Sequence, residues 1–544
     1  MGRSTSAKFR KQKVLIIGGG VAGMSCAATL AKEPDKFEVT LLERSAFAGG
    51  QAMSMDIDSQ QYGADWMNIG TQGGNRMFRH TYKFFREYGY EPREVRVQFS
   101  FGKGTDGFWT NMFPTPMIQR HRDEIKKFGN TLKLIRHFPI PLWIVPLKKV
   151  LKIFGFSTEF AHGILYPTTS LLLGVGNEPE DIPCGILQQL FEHPQLKLWD
   201  YDPSDFMPPR PVMFAFPNLS RFYADWTAGL REKGIMIRLN TQALRIIQRD
   251  NHGIIVETRH IDEDSRLTEE AYRERLITEE FDKLVLCVPG DEARRLLGDR
   301  ATWKEKAILN GVKYHDDVTI THSDHNYVEN KYEPAFKQEL CGKPHTKAQE
   351  ERIAFSKGEA GIQSGFHPSY YSISYPTMPS RNELTFDYSN FQYQFQQGPG
   401  EPPVPFERHI FQTRFMGAKL KDIWTIDSIA EKEVIQRRWI HQPSQGWKNF
   451  FRVMPYLRYI NGKNNTLFAG AWAFAVRVPF VHSNTEHHID IVQNMYEAAS
   501  ISGIAAAVRL GVPYESIDDF ADKYFGYYMQ VAYGQSIKKT KTKA

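Results

Sequence analysis

Three glycines near the start of the chain are spaced to hold a phosphate group with main-chain atoms alone. The segment KVLIIGGGVAG places Gly18, Gly20 and Gly23 in the pattern G-x-G-x-x-G, directly after the apolar run Val14 to Ile17. In a strand–turn–helix unit, the first glycine permits the tight turn, the second admits a pyrophosphate and the third allows close helix packing. The N-terminus of such a helix also attracts phosphate charge.

An acidic residue completes this pattern. The segment FEVTLLE provides a second apolar strand that ends at Glu43, twenty residues after Gly23. A carboxylate at this place can accept hydrogen bonds from a ribose diol. The order of strand, glycine turn, small-residue helix, second strand and acid predicts a Rossmann-type domain that binds an adenine dinucleotide. An ordinary glycine-rich turn is the alternative, and it explains fewer of these features.

The doublet Gly49-Gly50 bears on the choice between NAD and FAD. With Glu43 it resembles the E-x(5,6)-G-G signature of the flavin-containing amine oxidase and phytoene desaturase-like superfamily. In that superfamily the doublet brings the backbone against the FAD diphosphate. The resemblance implies FAD as the cofactor. It implies these cofactor-binding residues: Gly18, Gly20, Gly23, Glu43, Arg44, Gly49, Gly50, Gln51, Ala243, Gly470 and Ala498.

Later segments resemble the same superfamily. FYADWTAGLREKGIMIRLNTQALRII is predicted to form a helix, a break at Gly234 and two strands, and it resembles the segment that contacts the FAD adenosine through Ala243. FDKLVLCVPG resembles the strand and turn that complete the nucleotide domain. NTLFAGAW and YEAASISGIAAAVRLG resemble the closing motif, in which a strand and Gly470 lead to a small-residue helix beside the flavin.

The resemblance implies an α/β fold of two interleaved domains, one a Rossmann-type FAD-binding domain and one a substrate domain of mixed sheet and helices. The 544 residues are enough for two large cores. We expect the FAD-binding domain at 1–104, 221–300 and 461–525. The helical part of the substrate domain is expected at 105–220, its sheet at 301–460, and a basic tail at 526–544.

The segments GADWMNIGTQGG and NELTFDYSNFQ resemble a branch that includes flavin-dependent isomerases of polyunsaturated fatty acids. We therefore expect an FAD-dependent oxidoreductase that transfers a hydride on a lipophilic substrate, by oxidation, desaturation or double-bond isomerisation. An amine oxidase that produces peroxide is one alternative. A non-catalytic lipid-binding protein resembling Rab GDP-dissociation inhibitors is another.

The catalytic candidates are few. No Ser-His-Asp order, paired-carboxylate motif or Walker lysine occurs, as expected where a flavin carries the chemistry. Trp472 follows the flavin strand, Tyr375 belongs to the aromatic segment YYSISYPTMPSRNELTFDYSNFQ, and His322 could orient a neighbour. Packing explains each of the three equally well.

The cysteines and the net charge exclude further classes of protein. The four cysteines form no CxxC pair, which argues against a disulfide framework or zinc site and favours a reduced, cytoplasmic protein. Because no cysteine follows Cys341, a cysteinyl link near the closing motif is ruled out, and we expect noncovalent FAD. The net charge of +6 is not concentrated in one block, so nucleic-acid binding is not expected.

Membrane association is expected at most at the surface. No apolar run is long enough to span a bilayer, and no secretory signal is seen. Both ends are basic, and Met1-Gly2 with Ser6 fits an acylation pattern. The ends are therefore interpreted either as a peripheral membrane contact or as solvated tails. The segment TLKLIRHFPIPLWIVPLKKVLKIFGF is either a basic lipid-facing surface or a set of core helices, and its prolines exclude one continuous helix.

Eighteen residues, Val476 to Gln493, interrupt the closing motif, and their deletion would give AGAWAFANMYEAASISG. They contain His482, His487, His488 and Asp490, but without a metal-site spacing, so no metal is expected. A lid beside the flavin is one interpretation, since long surface loops cost little. A translated intron is the other interpretation, because every valine codon begins with GT and a glutamine codon can be CAG, as at the two ends of an intron.

The charged stretch DEDSRLTEEAYRERLITEE and the polar region 337–365 are expected to be solvated loops.

Overall fold

The computed structural model describes residues 10–173, 177–193, 199–250, 252–261, 276–396, 401–444, 446–473 and 495–536. The segment Val476 to Gln493, with its histidines and Asp490, lies outside the described residues. So do both chain ends and most of the charged stretch after His260. The lid, intron, metal and membrane-contact hypotheses for these segments therefore stay predictions.

The strands of the described residues fall into five sheets. Their bounds are β1 (Gln12–Ile17), β2 (Phe37–Leu42), β3 (Ala52–Asp56), β4 (Trp66–Gly70), β5 (Gly73–Gly74), β6 (Arg93–Arg96), β7 (Phe99–Phe101), β8 (Val212–Ala215), β9 (Met236–Arg238), β10 (Thr241–Asp250), β11 (Gly253–His260), β12 (Leu276–Phe281), β13 (Lys283–Leu286), β14 (Tyr314–His322), β15 (Tyr370–Tyr375), β16 (Met378–Asp387), β17 (Phe411–Phe415), β18 (Val434–Pro443) and β19 (Thr466–Phe468).

The α-helices of the same residues are interspersed with these strands along the chain. Their bounds are Val21–Leu30, Ser59–Tyr62, Arg79–Glu87, Gly104–Gly107, Pro116–Arg120, Arg122–His137, Pro139–Leu142, Leu147–Ile153, Thr158–Phe160, Tyr166–Leu173, Cys184–Glu192, Leu219–Glu232, Gly290–Leu297, Trp303–Leu309, His325–Lys331, Lys347–Lys357, Tyr388–Phe391, Trp447–Arg452, Met495–Arg509 and Asp519–Tyr533.

A parallel sheet of five strands, in the order β19-β13-β1-β2-β9, forms the first domain. Its central strand β1 is apolar and buried from Val14 to Ile17, where both faces of the sheet are covered. Val14 and Ile16 pack on the side of the helix Val21–Leu30 and the C-terminal helices. Leu15 and Ile17 pack on the opposite side, with residues of β10 and β11. This is the Rossmann-type arrangement that the sequence predicts.

A mixed sheet of six strands, in the order β18-β14-β17-β16-β15-β7, forms the second domain together with a helical layer. The pairs are antiparallel except for β15 with β7. The aromatic segment is confirmed as strands β15 and β16. The proline-containing basic segment is not one continuous helix, as predicted, but contributes to three separate helices. Lys148 in the third of these pairs with Asp181 at 2.7 Å.

Two segment boundaries and one expected loop differ from the sequence-based expectations. Strand β7 pairs with β15 of the second-domain sheet, so the chain enters that domain before residue 104. The helix Asp519–Tyr533 continues through the expected basic tail and buries Tyr528 and Met529, because it packs on the first-domain core. The region 337–365 is not simply a solvated loop, since it contains the helix Lys347–Lys357 and the buried Leu340.

None of the described helices combines the length and apolar character needed to cross a bilayer. Within the same ranges, no three His, Cys, Asp or Glu side chains come together as a metal site. The four cysteines are all free thiols.

Candidate functional site

The glycine turn after β1 has the close backbone contacts that its motif requires. Gly18 has φ +107°, and a Cβ on it would lie 2.5 Å from the carbonyl oxygen of Cys287. A Cβ on Gly23 would lie 1.9 Å from the carbonyl oxygen of Gly18, so the helix Val21–Leu30 can pack on the turn only with glycine there. A Cβ on Gly20 would meet nothing within 4 Å, because this residue opens into a cavity.

The second glycine pair lies directly against this turn. Gly49 forms a bridge with Gly20, and its N–H donates to the carbonyl oxygen of Gly19 at 2.9 Å. Gly50 has φ +63°, and a Cβ on it would lie 3.3 Å from the Cα of Gly20. The side chain of Gln51 donates to the carbonyl oxygen of His441 at 3.1 Å, which links this segment to the second domain. Glycine backbone from two separate segments thus faces one cavity.

Glu43 directly follows β2 and lies beside the glycine turn. Its carboxylate accepts from the N–H of Gly19 at 2.7 Å and of Ser45 at 2.9 Å, which leaves acceptor capacity for further donors. The side chain of Arg44 is exposed. Ala243 lies buried near the start of β10, close to the acid because Thr241 of the same strand donates its N–H to the carbonyl oxygen of Glu43 at 2.8 Å.

A cavity of about 390 Å³ lies between the two domains. One side, the main-chain wall, is formed mostly by backbone and small residues of the first domain. These are Gly20, Val21, Ala22, Gly49, Gln51, Ala52, Gly70, Thr71, Gln72, Gly73, Gly470, Ala471 and Ala499. The other side, the side-chain wall, is formed by Met213, Tyr314, Tyr370, Arg414 and His441.

The helix Met495–Arg509, here called the closing helix, holds the main-chain wall together. Gly470 has φ +137° and donates its N–H to the hydroxyl of Ser502 at 2.8 Å. A Cβ on Gly503 would lie 2.0 Å from the carbonyl oxygen of Ala22, so the two helices touch through backbone. Of the small residues in this helix, Ala499 lines the cavity, whereas Ala498 packs in the helical core of the second domain.

Glu497 attaches the closing helix to the N-terminus of the helix Arg79–Glu87. Its buried carboxylate accepts from the backbone N–H groups of His80 and Thr81, both at 2.9 Å. It also contacts the ring nitrogen Nδ1 of His80 at 2.9 Å and the hydroxyl of Thr81 at 2.6 Å. One side chain therefore satisfies four groups at the start of a helix that has no acidic residue in its own first turn.

Trp472 is the catalytic candidate that the structure brings to the cavity. Its ring is 2% exposed and lines the cavity next to Gly470. The indole Nε1–H donates to the carbonyl oxygen of Val288 at 3.0 Å, so the ring orientation is fixed. Trp472 can therefore serve as a rigid apolar surface for a bound molecule.

Tyr375 and His322 do not line this cavity. Burial lowers the pKa of His322 to about 3, so its ring is neutral at pH 7. Its Nδ1 accepts from the N–H of Asp324 at 3.2 Å, and Nε2 therefore donates to the hydroxyl of Thr413 at 2.9 Å. Tyr375 lies at the far end of β15 near the buried carboxylate of Glu383. Both residues belong to the interior of the six-stranded sheet.

The sequence reasoning missed the side-chain wall. Tyr370, five positions before Tyr375 in β15, faces the cavity and points its hydroxyl at the sulfur of Met213, 3.4 Å away. Tyr314 and His441 face it from β14 and β18, with their rings stacked at a centroid distance of 4.4 Å. The segment GTQGG, which includes Thr71 and Gln72 of the main-chain wall, did carry a signal, since its glycines follow an apolar strand.

His441 joins the two domains at the edge of the cavity. Its Nδ1 lies 2.6 Å from Asp316 of β14, and its Nε2 lies 2.8 Å from Asp291 at the start of the helix Gly290–Leu297. Partial burial lowers the pKa of His441, but the hydrogen bonds and charges of the two carboxylates outweigh burial and raise it overall. The raised pKa favours the protonated form of the ring, which bridges two acids.

Arg414 is neutralised in a similar way. Its guanidinium binds the buried Asp317 at 2.7 Å, and Asp317 also accepts from Gly417 N–H and the Gln442 side chain. Within the described residues, no Asp or Glu side chain lines the cavity itself. Cys287 does line it, but burial raises the pKa of its thiol well above the usual value, so the thiol stays protonated.

Comparisons with known proteins agree with this geometry. A family model described as an NAD(P)-binding Rossmann-like domain matches residues 16–87. The Peroxisomal N(1)-acetyl-spermine/spermidine oxidase of Bos taurus is 34% identical over 85 residues, which are 15% of this chain. The chain matches only 16% of the length of that curated relative.

Solved structures match over nearly the whole chain. A CLA-producing fatty acid isomerase from P. acnes has a TM-score of 0.54 at 12% identity, over 92% of this chain and 99% of that one. Cyclohexylamine oxidase from Brevibacterium oxydans IH-35A has a TM-score of 0.52 at 12% identity, with the same shares.

The fold is thus the two-domain fold of the amine-oxidase-like flavoproteins, with a Rossmann-like nucleotide-binding domain. The resemblance predicted from the sequence is confirmed at this level.

Proposed function

We propose that this protein is an FAD-dependent oxidoreductase that acts by hydride transfer on a small lipophilic substrate. The observation that carries the proposal is the cavity itself. Gly20, Gly49 and Gly470 of the nucleotide domain and Met213 and Tyr370 of the second domain line the same space. A dinucleotide held by the glycines would therefore lie next to an aromatic and apolar surface.

The residues present fit FAD. A side chain at Gly18 or Gly23 would collide with backbone, whereas Gly20 faces open space, as expected where a pyrophosphate approaches the chain. Glu43 is placed with spare acceptor capacity for a ribose, and Gly470 with Ala499 offers a smooth surface to the remainder of the cofactor. The protonated thiol of Cys287 favours noncovalent binding, because the thiolate is the nucleophilic form.

The charges around the cavity favour a lipophilic substrate over an amine. The cationic side chains that line it are Arg414 and His441, and each is already paired with acids outside the lining. An alkylammonium group would therefore find no carboxylate partner among the described residues that line the cavity. The rings of Trp472 and Tyr370 would instead pack against a hydrocarbon chain and exclude water.

When bound, FAD would supply the site that accepts a hydride. Return of the hydride to a different carbon would make the net reaction a double-bond isomerisation, and loss of electrons to oxygen or another acceptor would make it oxidation or desaturation. The chain's own part is binding and orientation. The hydrogen bond to Val288 fixes the orientation of the Trp472 ring. The contacts of His441 with Asp291 and Asp316 hold the two domains together beside the cavity.

The test begins with the visible spectrum of the purified 544-residue chain. We expect flavin bands, and release of the flavin when the protein is denatured, because the link is noncovalent. A shortened chain without Val476 to Gln493 is measured in parallel. Flavin in both forms would favour a lid, whereas flavin in the shortened form alone would favour a translated intron.

The substrate class is tested under anaerobic conditions. Unsaturated fatty acids should change the flavin spectrum or yield shifted double bonds, whereas alkylamines should not. Peroxide formed from amines and not from lipids would overturn the substrate proposal and support an amine oxidase. A purified protein without flavin that cannot be reconstituted with FAD would overturn the redox proposal and support a binding protein.

A further inference from the structure

A second cavity, here called the arginine cleft, lies in the second domain. It has a volume of about 750 Å³ and shares no lining residue with the first cavity. The helix Lys347–Lys357 forms one wall, and the loop before β8 forms another. This helix belongs to the region 337–365, which was expected to be a solvated loop, and it instead forms part of a cavity.

Three arginines in this cleft have unused binding capacity. Arg210 is half-buried, makes no ion pair within the described part of the chain, and has a buried Nε without a hydrogen-bond partner. Burial, and secondly the charge of Arg96, lowers its pKa. The one ion pair that Arg96 makes with another described residue is a long contact of 3.4 Å with the exposed Glu94. Arg122 is exposed at the rim and has no ion pair among the described residues.

The acids of the cleft already have other partners. Asp205 pairs with Arg352 at 2.5 Å and accepts from the Gln349 side chain at 3.1 Å. Asp202 accepts from the backbone N–H groups of Ser204 and Asp205. Glu351 lies 3.9 Å from Lys347 on its own helix. Among the described residues, an added anion would therefore find Arg210 without an acidic partner and Arg96 with only its long contact to Glu94.

The backbone holds Arg210 in an unusual position. Its φ is +46°, in the left-handed region that non-glycine residues rarely adopt, and Phe206 of the same loop has φ +68°. Such conformations concentrate at binding sites because the surrounding structure must hold them. The guanidinium lies 4.3 Å from the ring centre of Phe355, which orients its planar group.

We propose that the arginine cleft binds an organic oxyanion, a carboxylate or a phosphate, that carries an apolar body. Arg210 and Arg96 bind the oxyanion, and Arg122 at the rim adds longer-range attraction. The apolar body lies on Met112, Ile118 and Phe355, which line the same cleft. Planar guanidinium groups suit both oxyanions because two parallel N–H groups match two oxygens. This site is separate from the proposed flavin chemistry and does not rest on it.

Calorimetric titration of the purified full chain tests the proposal with four probes. Octanoate and octyl phosphate each carry an oxyanion and an apolar chain. Octan-1-ol has the apolar chain without the anion, and inorganic phosphate has the anion without the chain. We expect both amphiphilic anions to bind at least about tenfold more tightly than either comparison probe, because each feature contributes. The tighter of the two identifies the preferred oxyanion. Equal affinity for octan-1-ol and octanoate would overturn the role of the arginines.

Variants assign the binding to this cleft. Arg210→Gln should weaken the binding of the preferred anion by about tenfold or more and leave the flavin content unchanged. Arg122→Gln, at an exposed position that folding does not depend on, should weaken it about threefold and lessen its salt dependence. Arg136→Gln, at an exposed position in the last turn of the helix Arg122–His137 and outside the cleft, is the matched control and should change nothing. Unchanged binding in both cleft variants would overturn the proposal and place the probes in the flavin cavity.

Discussion

The two walls of the inter-domain cavity are built in different ways. The main-chain wall uses backbone from short segments around Gly20, Gly49, Gly70 to Gly73 and Gly470, and close contacts at Gly49, Gly70 and Gly73 leave no room for a larger residue there. The side-chain wall uses single residues from β8, β14, β15, β17 and β18, such as Tyr314 and His441. The first wall suits a cofactor that many proteins share, and the second can change with the substrate.

The difference predicts how each wall responds to mutation. A change in the main-chain wall must move backbone, so it should affect folding and cofactor binding together. A change in the side-chain wall removes one contact from a sheet that is otherwise intact. The four predictions below test this contrast, from the largest expected effect to the smallest.

Glu497→Ala should have the largest effect, because the main-chain wall depends on this one buried carboxylate. The change leaves the N–H groups of His80 and Thr81 and the ring of His80 without their acceptor. We expect a loss of about 3–5 kcal/mol in the free energy of unfolding, as for other broken buried pairs. Denaturant unfolding measures it. Glu359→Ala, at an exposed position, is the control and should stay within about 0.5 kcal/mol. Equal effects would mean that the closing helix does not depend on Glu497.

Gly23→Ala should separate the glycine turn from ordinary helix positions. The added Cβ would lie 1.9 Å from the carbonyl oxygen of Gly18, so the helix must shift away from the turn. We expect about 1–3 kcal/mol of destabilisation and at least a tenfold loss of bound flavin. Flavin absorbance per chain and thermal unfolding measure the two effects.

Gly526→Ala provides the matched control for this turn. Gly526 is also helical, but a Cβ there would meet nothing within 4 Å. We expect about 0.5–1 kcal/mol of stabilisation and unchanged flavin, since alanine is the better helix residue. Normal flavin binding in Gly23→Ala would contradict the assignment of this turn to the cofactor.

The same contrast explains which parts were predictable from the sequence. Gly18, Gly20, Gly23, Glu43 and the small-residue helices carry local signals, because their neighbours along the chain dictate their conformation. The order of elements then follows, and the Rossmann-type sheet agrees with it. The structure shows Ala499 at the cavity where Ala498 was expected, a difference of one helical position that small-residue spacing alone does not resolve.

The side-chain wall has no comparable local signal. His441 meets Asp316 only because β18 and β14 pair in one register, across 125 positions of sequence. Tyr370 and Tyr375 look equivalent in the aromatic segment, yet one lies at the cavity and the other lies near Glu383. The arginine cleft is even less predictable from the sequence, because residues near 96, 210 and 352 meet in it. One of its walls was expected to be a loop.

Trp472→Phe should have a moderate effect, because this residue adds a side chain to the main-chain wall. It removes the hydrogen bond from the indole N–H to the carbonyl oxygen of Val288. We expect about 1–2 kcal/mol of destabilisation. Trp303→Phe, at a side chain that is 75% exposed, should change stability little. If Trp472 contacts the substrate, KM rises in the variant, whereas a purely structural role would lower Tm with KM unchanged.

His441→Gln should have the smallest effect at neutral pH, and its pH dependence is the informative quantity. The pKa of His441 is raised in the folded protein by Asp316 and Asp291, which outweigh burial. A group with a raised folded-state pKa stabilises fully below its unfolded pKa of about 6.5, and this contribution is lost as the pH rises through the folded-state pKa. Because the side chain is 40% exposed, solvent screening should keep the contribution below about 1 kcal/mol.

The variant should therefore be less stable than the parent protein at pH 6 and match it at pH 9, as measured by thermal unfolding at both values. Asp291→Asn should remove much of the same difference, because it breaks the bond that crosses from β18 to the first domain. If His441→Gln and Asp291→Asn lowered stability equally at both pH values, the bridge would act through packing and not through charge. If they lowered stability only at pH 6, the side-chain wall would be tied to the first domain by a protonated histidine.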